Sequence, residues 1–172
     1  MKLTRREVLR GGLTAVTAAG AALVLGRAGL LLPAQATPDA RRYPFVKTDA
    51  EWHKILTPAR YNIMRDAGTE PPFSGQYEAK GRGTYVCPAD GNPLFSTDTQ
   101  FDSGTGWPSF WKPLSKTSVI EQSDDTLGMR RTEILCSHCG SHLGHVFNDG
   151  PRPTGLRYCM NALALKFVPA KK

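Results

Sequence analysis

The chain is short of several things, and each shortage removes a class of protein. It has no heptad pattern, internal repeat or low-complexity tract, which excludes coiled coils and repeat arrays. Its longest uncharged stretch, residues 11–26, runs for only 16 residues before Arg27 separates it from the next apolar residues. That is short of the roughly 20 apolar residues a spanning helix needs. A strong charge excess is missing too. Residues 1–36 hold five of the 22 basic residues and one of the 15 acidic ones, so the remainder stands at +3 rather than +7. An excess that small argues for neither nucleic acid nor an acidic membrane surface. Cysteine is scarce: Cys87, Cys136, Cys139 and Cys159 are the whole supply, and four cysteines allow three disulfide pairings.

The front of the chain has its own character. A basic head with the pair Arg5-Arg6 precedes the uncharged run, and Ala34-Gln35-Ala36 comes after it as a small-x-small cleavage site. That order describes an export signal of the twin-arginine type, cut after Ala36, with an uncleaved anchor as its rival. The product would be exported or periplasmic. Residues 37–47, with two prolines and an arginine pair, read as an extended leader, and 48–172 as the domain.

The 136 residues after the signal include 12 Gly and 12 Pro, so turns are frequent and many short strands are favoured over long helices. Thr48 with Glu51 is a capping box opening a short helix, with Trp52, Ile55 and Leu56 on one face. Thr57 caps a second helix with Pro58 at its first position, Tyr61, Met64 and Ala67 inward and Gly68 past its end. Beyond Gly81 the pattern is strands and turns: 84–86, then 94–95, then 129–136, with a turn at 148–151 before a last strand. The fold class is mainly β, one compact domain behind short N-terminal helices.

Cys136-Ser137-His138-Cys139-Gly140 is a knuckle of the kind that holds a structural zinc, and such a knuckle needs a second ligand pair. Cys87-Pro88-Ala89-Asp90-Gly91 repeats the spacing with a carboxylate in second place, so Cys87, Asp90, Cys136 and Cys139 can close a four-ligand site. The competing reading is a disulfide, either between Cys136 and Cys139 or between Cys87 and one of them. His142 and His145 come next. In a regular strand they face opposite ways, and Gly144 allows a bend that brings both to one side. They read equally as structural groups or catalytic ones, and no third histidine supports a metal site with Asp149. Trp107 sits on a glycine-loosened loop, where it either packs in the core or binds.

In the last strand, Arg157, Cys159 and Asn161 share one face, and Leu163, Leu165 and Phe167 continue that parity. A guanidinium two residues from a thiol on the same face favours thiolate, the nucleophilic form. A buried, inert cysteine is the alternative.

These motifs converge. Residues 68–75, 101–110, 142–147, 149–151 and 157–161, spread over the span 49–167, resemble the B-type methionine sulfoxide reductases. The resemblance implies two antiparallel sheets and reduction of methionine R-sulfoxide, preferably within oxidised proteins or peptides. It also implies an external thiol or dithiol, such as a thioredoxin-like protein, as electron donor. Cys159 would attack the sulfoxide sulfur and become a sulfenic acid. His142, His145 and Asn161 would line the oxygen side with Asp149 in support, Arg157 would lower the thiol pKa, and Trp107 and Phe147 would wall the methyl side. Two departures stand out: Thr105 occupies the position of a resolving cysteine found in many relatives, and Asp90 replaces a zinc-binding cysteine. The competing class is a non-enzymatic zinc-binding β module. A third reading, a thiol–disulfide oxidoreductase using Cys136 and Cys139, lacks the βαβ context of that motif.

Overall fold

Two short helices form where the caps dictate. The structure is a computed structural model that describes residues 43–75 and 81–171. The signal expected over 1–36, and the leader as far as residue 42, lie outside the described residues. Helix α1 (Asp49–Ile55) begins at the Thr48 capping box, in which Thr48 Oγ1 accepts from the Glu51 amide while Glu51 Oε2 accepts from the Thr48 amide at 2.8 Å. Helix α2 (Pro58–Arg65) starts behind Thr57, with proline where no amide donor is needed.

The inward faces differ in detail from the sequence expectation. Trp52 and Leu56 are buried, but Ile55, where α1 ends, is 45% exposed. In α2 it is Ile63 and Met64 that are buried; the helix stops at Arg65, so Ala67 falls outside it and is exposed. From Tyr43 onward the leader is described. The Phe45 amide donates to the His138 carbonyl at 2.9 Å, and its ring packs on His138 and Trp52.

Nine strands complete the described chain: β1 (Gly83–Val86), β2 (Pro93–Ser96), β3 (Gln100–Phe101), β4 (Ser109–Phe110), β5 (Val119–Asp124), β6 (Arg131–Cys136), β7 (His142–Phe147), β8 (Arg157–Met160) and β9 (Lys166–Pro169). They form two sheets of antiparallel neighbours, one ordered β2-β1-β9 and the other β3-β4-β8-β7-β6-β5. The expected two-sheet, mainly β architecture is therefore the observed one. The sheets join through aromatic rings: Phe95 stacks on Phe110 at 4.5 Å, and Tyr85 meets Phe110 edge-on at 5.2 Å. Phe110, Ile134, Tyr158 and Met160 all belong to this core. Among the described residues no helix is long and apolar enough to cross a membrane.

The buried face of β8 is thus the even-numbered one, Tyr158 and Met160, leaving Arg157 and Cys159 on the half-buried side. The expected run of odd-numbered apolar residues through 163, 165 and 167 is broken by a 3-10 turn at Ala162–Ala164, which resets the parity. Helix α2 packs against this turn and against β7.

Candidate active site

Strand register brings the site together. Cys159 on β8 stands directly opposite His145 on β7 and Ser109 on β4, and His145 stands opposite Glu133 on β6. Cross-strand partners share a face, so Glu133, His145, Cys159 and Ser109 form one row on the side away from the aromatic core. One row along, Phe147 faces Arg157, whose guanidinium lies 4.4 Å from the ring centroid.

His142 joins this face because β7 is bulged. Ile134 pairs with Gly144 and Leu135 with His142, so Leu143 is an extra residue that restores His142 to the side of His145. The two rings lie 5.4 Å apart, centroid to centroid. Gly144 is where the bulge meets β8: a Cβ there would lie 2.2 Å from the Cys159 carbonyl oxygen, so no side chain fits. The Leu143 carbonyl freed by the bulge accepts from both the main-chain amide and the side-chain Nδ2 of Asn161, at 2.8 and 3.2 Å.

Each histidine leans on a carboxylate that the sequence reading missed. His142 Nδ1 donates to Glu133 Oε1 at 2.6 Å, and His145 Nε2 donates to Asp124 Oδ2 at 2.8 Å. Asp124 also accepts from Thr126 and Arg131, and these bonds hold its carboxyl far below the usual range. Burial pulls the His145 pKa down against the opposing pull of Asp124. His142 is 4% exposed, and its Nε2 is buried with no hydrogen-bond partner among the described residues. An orphaned buried nitrogen is costly, so that atom is placed to receive a ligand.

The thiol itself is flanked by hydroxyls. Thr105 Oγ1 lies 3.9 Å from Cys159 Sγ, and Thr105, Ser103 and Ser109 are linked through Ser103 Oγ at 2.8 and 2.7 Å. Burial pushes the Cys159 thiol up, more than Thr105, Arg157 and Ser109 pull it down. Arg157 acts in the expected direction, but it is partly spent elsewhere: Nε and Nη2 form a fork on Asp149, each bond 2.8 Å. Asp149 therefore sits on Arg157, not on the histidines.

Trp107 is half-buried, and its indole N–H donates to the Glu70 carbonyl at 3.1 Å. Glu70 is another residue the sequence reading missed. Its amide donates to Asn161 Oδ1, and its carboxylate accepts from the amides of Ala162 and Leu163. A single buried residue thus ties the tryptophan loop to Asn161.

A separate cluster lies at the strand ends. The loops after Cys87 and Cys136 have the same backbone pattern: each cysteine amide donates five residues ahead, and each cysteine carbonyl accepts from the glycine amide four residues on. This places Asp90 where Cys139 sits in the other loop. The ligand atoms of Cys87, Asp90, Cys136 and Cys139 all lie within 4.8 Å of one another. Zinc–sulfur bonds of about 2.3 Å and zinc–oxygen bonds of about 2.1 Å give tetrahedral edges near ~3.8 Å (S–S) and ~3.6 Å (S–O). Cys87 Sγ and Cys139 Sγ are 3.8 Å apart, and Cys136 Sγ lies 3.5 Å from Asp90 Oδ2, so these two edges match those of a tetrahedral ion. Asp90 is further held by His138 Nδ1 and the Asn92 amide, the outer contacts a ligating carboxylate requires. All four cysteines are free thiols.

A half-buried thiol in a row with paired imidazoles offers the groups that a thiol-dependent oxidoreductase uses. The comparisons with known proteins narrow this. The SelR domain model matches residues 56–169. The peptide methionine sulfoxide reductase MsrB of Leptospira interrogans is 58% identical over 126 residues, covering 73% of this chain and 96% of that protein. Those of Thiobacillus denitrificans and Acinetobacter baylyi are 56% and 54% identical, covering 72% and 73% of this chain and 94% and 91% of their own lengths. The chain belongs to the SelR-domain family of MsrB-type methionine sulfoxide reductases.

Proposed function

We propose that this chain reduces methionine R-sulfoxide in oxidised proteins and peptides to methionine, using an external thiol or dithiol. The observation that carries the reading is the row of Ser109, Cys159 and His145 across three adjacent strands, with the orphaned His142 Nε2 on the same face. A non-enzymatic zinc module would leave that row without a purpose.

In this reading the Cys159 thiolate attacks the sulfoxide sulfur. The methionine sulfur–oxygen bond and the transient sulfur–sulfur bond break as the oxygen bonds to the cysteine sulfur, so the methionine sulfur is reduced by two electrons and the cysteine sulfur is oxidised by two to a sulfenic acid. The proton lost by the thiol is balanced by the proton gained on the transferred oxygen. His142 Nε2, its ring held through Nδ1–H on Glu133, takes up the proton the thiol loses and as N–H donates it toward that oxygen, while Asp124 fixes the ring of His145. Asn161 lines the same side, Asp149 acts through Arg157, and Trp107 and Phe147 supply the apolar wall for the methyl group.

Thr105 stands 3.9 Å from the thiol and carries no sulfur, so the cycle uses one cysteine. A donor thiol attacks the sulfenic sulfur and releases water, leaving a mixed disulfide. A second donor thiol then frees Cys159 and leaves as the donor disulfide. Cys87, Asp90, Cys136 and Cys139 would hold a structural zinc, which ties two loops together and takes no part in the reaction. Residues 1–36 serve as a twin-arginine signal cut after Ala36, residues 37–47 as a leader, and the domain 48–172 works in the periplasm or otherwise outside the compartment of synthesis.

The deciding experiment supplies the purified chain with a dithiol and each epimer of a blocked methionine sulfoxide. Consumption of the R epimer alone is expected, and equal consumption of both, or of neither, overturns the reading. Without reductant, stoichiometric sulfoxide should cost one thiol per chain and leave a species trapped by a sulfenic-acid reagent.

A further inference from the structure

Phe73 is 72% exposed, more than any other large apolar side chain among the described residues. Its backbone has φ 63°, in the left-handed region that a bulky residue seldom adopts and that glycine adopts freely. An aromatic ring held in a strained conformation yet left in water gains little from folding. Such an outlier points to use.

Its position is fixed. The Phe73 amide donates to the Gly106 carbonyl at 2.8 Å. The ring lies so close over Gly106 that a Cβ there would come within 2.7 Å of it. Gly106 also has φ 85°, so two constraints keep that position bare. Trp107 is the next residue, and Thr105, the neighbour of the Cys159 sulfur, is the one before. Glu70, three residues ahead of Phe73, holds the Trp107 indole. The exposed ring is therefore fastened, through backbone on both sides, beside the loop that carries the methyl-side wall.

We infer that Phe73 is a specificity-determining residue, whose ring takes apolar side chains of the polypeptide flanking the oxidised methionine. The inference rests on the proposed sulfoxide reductase reading and deepens it. The substrate class it names is an unfolded or extended chain segment with hydrophobic residues beside the sulfoxide. The single amino acid reaches Trp107 and Cys159 but has nothing to lay on Phe73.

The test compares two substrates of the same R configuration, a blocked single methionine sulfoxide and a short peptide with leucine on each side of it. Phe73→Ala and Phe73→Gly are measured beside the parent chain, and Phe73→Tyr serves as the conservative control. Loss of a partly buried ring contact should raise KM for the peptide roughly five- to tenfold. The ratio of kcat/KM for peptide over single residue should fall by the same factor. Phe73→Tyr should keep the parent ratio. Phe73→Gly removes the backbone strain, so its melting temperature should equal or exceed that of Phe73→Ala, separating a binding loss from a folding loss. A parallel loss on both substrates, or an unchanged ratio, overturns the assignment. A parent chain inactive on both would instead overturn the reductase reading.

Discussion

Cys159 and the three cysteines of the strand-end cluster are the same side chain placed in two opposite surroundings. Cys87, Cys136 and Cys139 are 1%, 0% and 4% exposed and face one another, a carboxylate and the Asn92 amide. Hydrogen bonds with the other two sulfurs, and burial, push Cys87 up, while hydrogen bonds from Cys139 and Cys87 pull Cys136 down. A set like that is stable when a cation gathers its charge. Cys159 is half-buried in mid-strand, among hydroxyls, an imidazole row and a guanidinium. Burial alone does not separate the two regions, since it acts to raise thiol pKa values in both. What separates them is the neighbour: two other sulfurs and a carboxylate in one case, hydroxyls, an imidazole and a guanidinium in the other.

The largest expected effect breaks that comparison cleanly. Cys159→Ser should abolish dithiol-driven turnover, because a serine hydroxyl stays protonated at neutral pH, yet leave melting temperature and metal content at parent values. Cys136→Ser should do the reverse: metal by elemental analysis falls and the protein melts lower, with activity following only the folded fraction. If both variants lost stability equally, the division would collapse.

A second effect is confined to the catalytic region. Glu133→Gln removes the charge behind His142 and should lower kcat by about 10²-fold with little change in KM. A kcat within about twofold of the parent would show that His142 does not work through its nitrogen.

The third sharpens the metal side. Asp90→Cys should tighten metal binding and raise resistance to a competing chelator, with the sulfoxide assay unmoved. Equal chelator sensitivity would mean that Asp90 is not a ligand.

The smallest effect is on thiol ionisation. Because burial raises the Cys159 pKa, its thiolate fraction should still be climbing above the ~8.5 of a free cysteine, as read from the pH dependence of alkylation. A raised folded-state value stabilises the thiol form at low pH, and that stabilisation is lost as pH rises through it. Thr105→Val removes a hydroxyl that opposes the rise and should move the midpoint further up.

Much of this was legible from local spacing. The knuckle cysteines, the matching Asp90 and the cap at Thr48 depend on neighbours three residues away, and the structure places them as expected. Other features were not legible, because their partners come from different strands. Glu133 and Asp124 lie 9 and 21 residues from the histidines they hold, and Glu70 lies 91 residues from Asn161. The Leu143 bulge has no local signal beyond the bend allowed at Gly144, since an extra apolar residue resembles any other core residue. Parity reasoning failed at Leu163 and Leu165 because a tight turn contains one and ends before the other.

Glu70 carries a consequence for how the site tolerates change. Through its carbonyl it fixes Trp107, and through its amide it fixes Asn161, so these two side chains hang from one residue. Their contributions are then not separable quantities. Replacing Trp107 frees the Glu70 carbonyl and loosens the anchor of Asn161, and the converse holds as well. A double-mutant cycle on Trp107→Phe and Asn161→Ala should show a coupling energy of about 0.5–3 kcal/mol, as expected of side chains in one network. The Glu70 carboxylate is what clamps that shared backbone to Ala162 and Leu163. In a Glu70→Ala background the coupling should therefore shrink, even though the Trp107 and Asn161 side chains remain.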